Sequence, residues 1–340
     1  MKLMRTEDAV GQILCHDITQ IIKGVTKDAV FRKGHVIQKE DIPVLLSVGK
    51  EHIYIWENNE HMLHENEAAE ILYRICKGEH MHGSEVKEGK IELIADMDGV
   101  LKIQRETLHK INGMGQMMIA SRHGNFPVKK GDKIAGTRII PLVIEKEKME
   151  AARQATGEEP IFQILPYRYK TAGVVTTGSE VLKNRISDTF EEKLAEYQVQ
   201  MTEHVLSGDD HVVITKAIEE MIEKGVEMVI CTGGMSVDPD DRTPLAIKNT
   251  GARIVTYGAP MLPGAMFLLA YYEHGDRKIP VLGLPGCVMY AKRTIFDLVL
   301  PRLLAGEMLT EEDFIRAGEG GLCLSCPQCT YPNCGFGKGV

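Results

Sequence analysis

The sequence predicts an α/β protein built around a doubly wound, mostly parallel sheet over residues 166–306. A smaller β-rich, α+β region precedes that sheet and a cysteine-rich tail follows it. Three observations carry this. From Thr171 onward short apolar runs alternate with helical patterns, the order of a parallel sheet with helices on both faces. Between Ser84 and Glu145 the pattern is instead strands and glycine turns. Finally, four of the eight cysteines crowd the end of the chain at Cys323, Cys326, Cys329 and Cys334.

In chain order, Val25–Phe31 reads as a strand followed by the turn Arg32-Lys33-Gly34-His35. Asp41 is placed to cap a helix over Ile42–Val48, with Pro43 in its first turn. His52–Trp56 is a strand and Glu65–Lys77 a helix. Ile91–Ala95, Val100–Ile103, Met117–Ser121 and Ile139–Ile144 are β runs, with turn chemistry at Gly124-Asn125 and Lys130-Gly131-Asp132. A charged helix, Glu145–Gly157, forms the linker. Beyond it come strands at Ala172–Val175, Gln200–Leu206, Val226–Cys231, Ala252–Tyr257 and Ile279–Leu284. Helices are expected at Thr189–Tyr197, Val212–Lys224, Pro244–Asn249 and Tyr290–Leu304. The expected organisation is 1–60, an α+β segment; 61–165, a β-rich domain and linker; 166–306, the α/β domain; and 307–340, the tail.

The 340 residues are 44% hydrophobic and 26% charged, enough to bury ordinary cores, with a net charge of −8. This balance argues against a protein that coats nucleic acid and leaves a local anion site open. No apolar run reaches the roughly 18 residues of a spanning helix, and Met1–Val10 has no signal-like apolar stretch. A cytoplasmic protein with no membrane partner is expected. The uneven spread of cysteines fits a reducing compartment with one metal site.

In a sheet of this kind ligands bind beyond the carboxyl ends of the strands. Four loops lie there: Thr176 to Glu180, Ser207 to Asp210, Thr232 to Arg242, and Leu284 to Cys287. Thr177, Gly178, Ser179, Gly233, Gly234, Ser236 and Gly286 would bring backbone N–H groups and hydroxyls toward a phosphate, and Pro285, which has no N–H, stands beside Gly286 in the last of these loops. Glycines that merely turn corners are the alternative. Glu180, Asp209 and Asp241 fall at the same end. Carboxylates beside a phosphate are tolerated when a Mg2+ ion lies between them; helix capping is the other account, open for Asp210 and Asp241.

The run Thr232-Gly233-Gly234-Met235-Ser236-Val237-Asp238-Pro239-Asp240-Asp241-Arg242-Thr243-Pro244 resembles the signature loop of the molybdopterin-binding domain. That domain occurs in MogA-type adenylyltransferases, MoeA-type molybdenum insertases and gephyrin. Thr177-Gly178-Ser179-Glu180, Met261-Leu262-Pro263-Gly264 and Leu284-Pro285-Gly286 follow in insertase-like order. Phe31 to Ile37, with Asp41-Ile42-Pro43, looks like an insertase opening segment. The resemblance implies a MogA-like fold for 166–306, and molybdopterin or adenylylated molybdopterin as ligand with Mg2+ and molybdate or tungstate. It implies a homodimer, and a molybdoenzyme or cofactor-assembly protein as partner. The activity implied is molybdopterin molybdenumtransferase-like, with Asp241 the first catalytic candidate and Asp209 and Glu180 next. Two departures stand out. The insertase segment Ser-Ala-Met-Asp-Gly-Tyr-Ala has no counterpart, and Pro285-Gly286-Cys287-Val288 replaces Pro-Gly-Asn-Pro. A non-catalytic carrier or sensor, and a nucleotide-pyrophosphate hydrolase of the competence-damage type, are the alternatives.

The tail motif Cys-x2-Cys-x2-Cys-x4-Cys suits a soft metal. An iron–sulfur cluster or Zn2+ are both compatible with its spacing.

Overall fold

The computed structural model describes residues 2–22, 26–55, 60–178, 190–236 and 241–339. Its chain gathers into two compact units. The first comprises residues 1–96, 103–122 and 131–163; the second comprises 97–102, 123–130 and 164–340.

The first unit is antiparallel. Lys2–Arg5 pairs with His52–Ile55, and Ile18–Ile22 with Thr26–Phe31. The helix Asp41–Ser47 places Leu45 in a small core with Ala9, Leu14, Ile18, Ile37, Ile53 and Ile55. Asp41 does not cap this helix. It is the first helical residue, and its carboxylate accepts from the Gln38 N–H (2.8 Å) and pairs with His35. The rest of the unit is a four-stranded antiparallel sheet, ordered Met81–Gly83, Lys90–Ala95, Lys133–Ile139, Met117–Ser121. Alternate residues of Lys90–Ala95 are buried, the period-2 signature of a sheet with one covered face. The expected strand Ile139–Ile144 is instead the end of Lys133–Ile139 plus a short strand Val143–Glu145, and a helix Arg105–Gly113 is added.

His64 starts the helix Glu65–Cys76 through a capping box: its Nδ1 accepts from the Asn66 N–H (3.2 Å), and Glu67 reaches back to the His64 N–H. Its Nε2 donates to the Cys15 carbonyl at 2.8 Å, so the ring must be neutral to serve both partners. Burial lowers the basicity of His64, and that of His16 in the same way. A folded-state value below the free value means that the fold binds fewer protons than the unfolded chain. This contribution is fully present above about pH 6.5 and is lost as pH falls through the window below it. Urea midpoints are expected to drop between pH 7.5 and pH 5.5, and the drop should shrink in His64→Gln; an unchanged pH slope in that variant would exclude His64 as its source.

The second unit holds a six-stranded sheet in the order Gln200–Ser207, Thr171–Thr177, Val229–Thr232, Arg277–Leu284, Leu268–His274, Arg253–Tyr257. The first four strands are parallel. Leu268–His274 runs antiparallel to both its neighbours, a strand the sequence pattern did not reveal. The sheet is covered on both faces. Ala172, Val174, Ile230, Leu282 and Leu269 join one core with Phe190, Phe296 and Phe314 from the helices. Val175, Val229, Cys231, Val281 and Leu268 join the other, against the helices His211–Glu223 and Thr243–Asn249. Strands buried on both sides read as continuous apolar runs, and this is why they stand out in the sequence.

Tyr290–Leu304 is not one helix. A 3-10 turn spans Gly286–Met289, and the α-helix begins only at Ile295, where Thr294 and Asp297 form a capping box. Among the described residues no helix is long and apolar enough to cross a membrane.

Candidate functional site

The register of the parallel strands brings the loop origins together. Thr177 lies opposite Ser207, Thr176 opposite Thr232, and Thr232 opposite Leu284. All four glycine- and hydroxyl-bearing loops therefore leave the same edge of the sheet, at its carboxyl end.

The Thr232 loop is shaped by its glycines. Gly233 (φ +90°) and Gly234 (φ +57°) take left-handed backbone conformations. A Cβ on Gly233 would sit 2.3 Å from the Thr177 carbonyl oxygen, and one on Gly234 2.9 Å from Thr243 Oγ1. The Gly-Gly pair is thus needed for the loop to fold back against the neighbouring strand. Gly233→Ala should destabilise the domain by about 1–3 kcal/mol, read as a lower denaturant midpoint. A neutral result would show that the loop tolerates a wider turn. Gly178 (φ +110°) and Gly286 have open space where a side chain would stand, which lets a ligand approach the backbone.

The hydroxyl of Thr177 is buried and directed inward. It lies 3.2 Å from Thr243 Oγ1, which itself donates to the Gly233 carbonyl at 2.8 Å. Thr177 therefore braces the loop with its side chain, and only its backbone remains for a ligand. Thr243 is the partner sequence reasoning missed. Its position directly after Arg242 and before a helix-starting proline was the available signal. Ser207 was also missed as an individual candidate: its Oγ is buried at the strand end without a hydrogen-bond partner among the described residues, as is Nδ1 of His211.

Asp241 is half-buried, and its Oδ2 accepts from the Ser236 N–H at 2.7 Å. It closes the long loop instead of capping the helix Thr243–Asn249, whose N-cap, Arg242, has no side-chain cap. Asp210 does cap: its carboxylate accepts from the Val212 N–H at 2.9 Å. Asp209 stands half-buried on the Ser207 loop, and no hydrogen bond among the described residues joins it to Asp241. Pro285 is buried and Gly286 exposed, while burial raises the thiol pKa of Cys287 beside them. Ser179 and Glu180 lie outside the described residues.

None of the eight cysteines is in a disulfide. Cys326 and Cys329 are exposed, and Cys323 and Cys334 half-buried. Among the described residues no three His, Cys, Asp or Glu side chains converge tightly enough to hold a metal ion, so the expected tail ligands do not stand as a closed set.

Known proteins resemble parts of this chain. A CinA-like protein of Mycobacterium tuberculosis is 33% identical over 76 residues, 21% of this chain and 18% of that protein. A competence-damage inducible protein of Bacillus mycoides is 34% identical over 83 residues, 23% of this chain and 20% of that protein. The chain thus spans about a fifth of the length of these relatives. Among solved structures, the tungsten cofactor synthesizing protein MoaB from Pyrococcus furiosus aligns with a TM-score of 0.31 at 19% identity, over 36% of this chain and 84% of that one. The protein CinA from Thermoplasma acidophilum aligns with a TM-score of 0.27 at 20% identity, over 35% and 89%. Residues 3–57 match a domain of unknown function, DUF8806. Residues 173–305, which contain all four loops, match the family described as a probable molybdopterin binding domain.

Proposed function

We propose that the second unit binds a molybdopterin-type pterin phosphate and serves molybdenum or tungsten cofactor biosynthesis. The reaction in this reading is the Mg2+-assisted insertion of molybdate into adenylylated molybdopterin. The observation that carries it is the convergence of the Gly178, Gly233-Gly234 and Gly286 loops on one sheet edge, within the stretch that matches the molybdopterin-binding family. The phosphate would be held by backbone N–H groups of these loops.

Asp241 fits a cation ligand. Its Oδ2 is held by the Ser236 N–H, and its Oδ1 has no hydrogen-bond partner among the described residues, which suits monodentate coordination. Bound there, Mg2+ would neutralise phosphate oxygens as charge develops on them. Asp209 and Glu180 are second candidates on neighbouring loops. In the same reading the four tail cysteines bind an iron–sulfur cluster or Zn2+, and the chain acts as a homodimer that delivers its product to a molybdoenzyme or cofactor-assembly partner.

Purified protein should bind adenylylated molybdopterin and, with Mg2+ and molybdate, consume it. Tight binding without turnover would identify a carrier. The similarity to CinA-like proteins favours a second reading, hydrolysis of a nucleotide pyrophosphate. Release of a nucleoside monophosphate from a dinucleotide pyrophosphate, with no pterin binding, would select it. Light scattering should report about twice the 37.8 kDa chain mass. A clean monomer at micromolar concentration would remove the dimer from this reading.

A further inference from the structure

The tail is a built element of the second unit. Leu262 and the tail exchange backbone hydrogen bonds, Leu262 N–H to Gly321 O and Cys323 N–H to Leu262 O, both at 2.8 Å. Lys292 Nζ donates to the Pro327 carbonyl at 2.7 Å, and the Arg293 guanidinium lies 5.1 Å from the centre of the Tyr331 ring. One contact has a specific cause. Pro301 lies inside the helix Ile295–Leu304 and has no N–H, so it leaves the Asp297 carbonyl, four residues earlier, without its helical donor. The Tyr331 hydroxyl fills that gap, donating to Asp297 O at 3.0 Å. Further on, Gly337 packs so closely on Leu298 that a Cβ there would lie 2.4 Å from it.

All four tail cysteines line one cavity of about 570 Å3. Lys292 and Phe336 form part of its wall, and none of the residues lining it is acidic or a histidine. The strong ligands on offer are therefore thiols alone, a set that selects soft metal centres over Mg2+ or Ca2+. Two soft guests are then open to the four thiols. A single zinc ion draws four sulfurs to within about 2.3 Å of one point and leaves no space between them. An iron–sulfur cluster brings its own sulfides and fills the volume between thiolates that stand apart. Cys-x2-Cys-x2-Cys is a spacing found in cluster proteins and favours the second. The cationic Lys292 offsets part of the charge that four thiolates bring.

We infer that the tail is a tetrathiolate site for an iron–sulfur cluster, held by Cys323, Cys326, Cys329 and Cys334 against residues 290–293. This deepens the metal reading of the tail and does not depend on the pterin. Only Val288 and Met289 separate the candidate phosphate loop, Leu284 to Cys287, from Tyr290 in the wall of this cavity, so the two sites share one segment of chain. Ligation replaces four thiol protons by bonds to iron, and loading should release protons accordingly.

The test uses the full chain, purified anaerobically and supplied with ferric iron, sulfide, dithiothreitol as reductant and an amount of zinc equal to the iron. Iron and acid-labile sulfide in near-equal, near-stoichiometric amounts are expected, with charge-transfer absorption in the visible. The double variant Cys326→Ser/Cys329→Ser changes the two exposed cysteines and should lower bound iron at least about tenfold. Its unfolding midpoint, compared with metal-free wild type, should be unchanged, which separates lost ligands from a lost fold. Zinc bound in place of iron, without labile sulfide, would overturn the cluster and leave a tail metal site standing. Neither metal in the wild type, or iron undiminished in the double variant, would overturn the site itself. Pterin binding, measured on the same samples, reports on the other reading independently.

Discussion

Asp241→Asn is expected to abolish Mg2+-dependent turnover while leaving the loop and the fold in place. The side-chain amide oxygen of asparagine can still accept the Ser236 N–H that now bonds Asp241 Oδ2 at 2.7 Å. The negative charge, however, is gone, and with it the attraction that would hold a divalent cation against a phosphate. A metal ion contributes several kcal/mol to stabilising charge in such a reaction, so the loss should be on the order of a thousandfold in kcat/KM. Asp241→Ala removes both functions. It should lose activity equally and also weaken pterin binding, because the long loop loses the acceptor that closes it. The comparison divides the electrostatic role from the structural one. Turnover and Mg2+ dependence unchanged in Asp241→Asn would remove Asp241 from the chemistry and make it a loop brace only.

The same residue illustrates how far the sequence could be read. Its place after the Gly-Gly turn marked it as a candidate, and the strand pattern put its loop at the right edge of the sheet. Whether it caps the next helix or closes its own loop was not legible, because a capping aspartate and a loop-closing one occupy the same sequence context. Two aspartates show both outcomes: Asp210 caps a helix, and Asp241 does not. Thr177 shows a different limit of the sequence. A hydroxyl beside a glycine reads as a ligand donor, yet its real partner, Thr243, lies 66 residues away and no local pattern announces it. The parallel strands were visible because burial on both faces makes them uniformly apolar. Leu268–His274 was overlooked although its first four residues are fully covered, since Leu-Leu-Ala-Tyr-Tyr is equally a helical or a strand run by periodicity alone. The helix expected from Tyr290 starts late because Thr294 and Asp297 make a better N-terminus than anything before them. In the tail, the spacing of the cysteines was plain, whereas the anchoring by Tyr331 depends on a proline thirty residues earlier.

Asp297→Ala is expected to be the most destabilising single change in the second unit, by about 3–5 kcal/mol. Asp297 is 3% exposed and serves three groups at once. Its Oδ1 accepts from Lys193 Nζ at 2.6 Å and from Arg293 Nη1 at 2.9 Å, and its Oδ2 accepts from the Thr294 N–H at 2.7 Å. Losing the cap alone costs about 1 kcal/mol. The larger part comes from Lys193, which is itself buried and would be left without its partner. Arg293 retains Glu196 and should suffer less. Asp297→Asn preserves an acceptor for Thr294 but not the charge, so it should fall between Asp297→Ala and wild type. The decisive case is Lys193→Met combined with Asp297→Leu. Removing both charges should recover most of the loss and leave mainly the missing cap, because an intact buried ion pair contributes little beyond offsetting its own desolvation. Urea unfolding of the four proteins measures this directly. A cost below 1 kcal/mol for Asp297→Ala, or a double variant as unstable as the single one, would mean that water reaches Lys193 and that the pair is not the keystone of this helix.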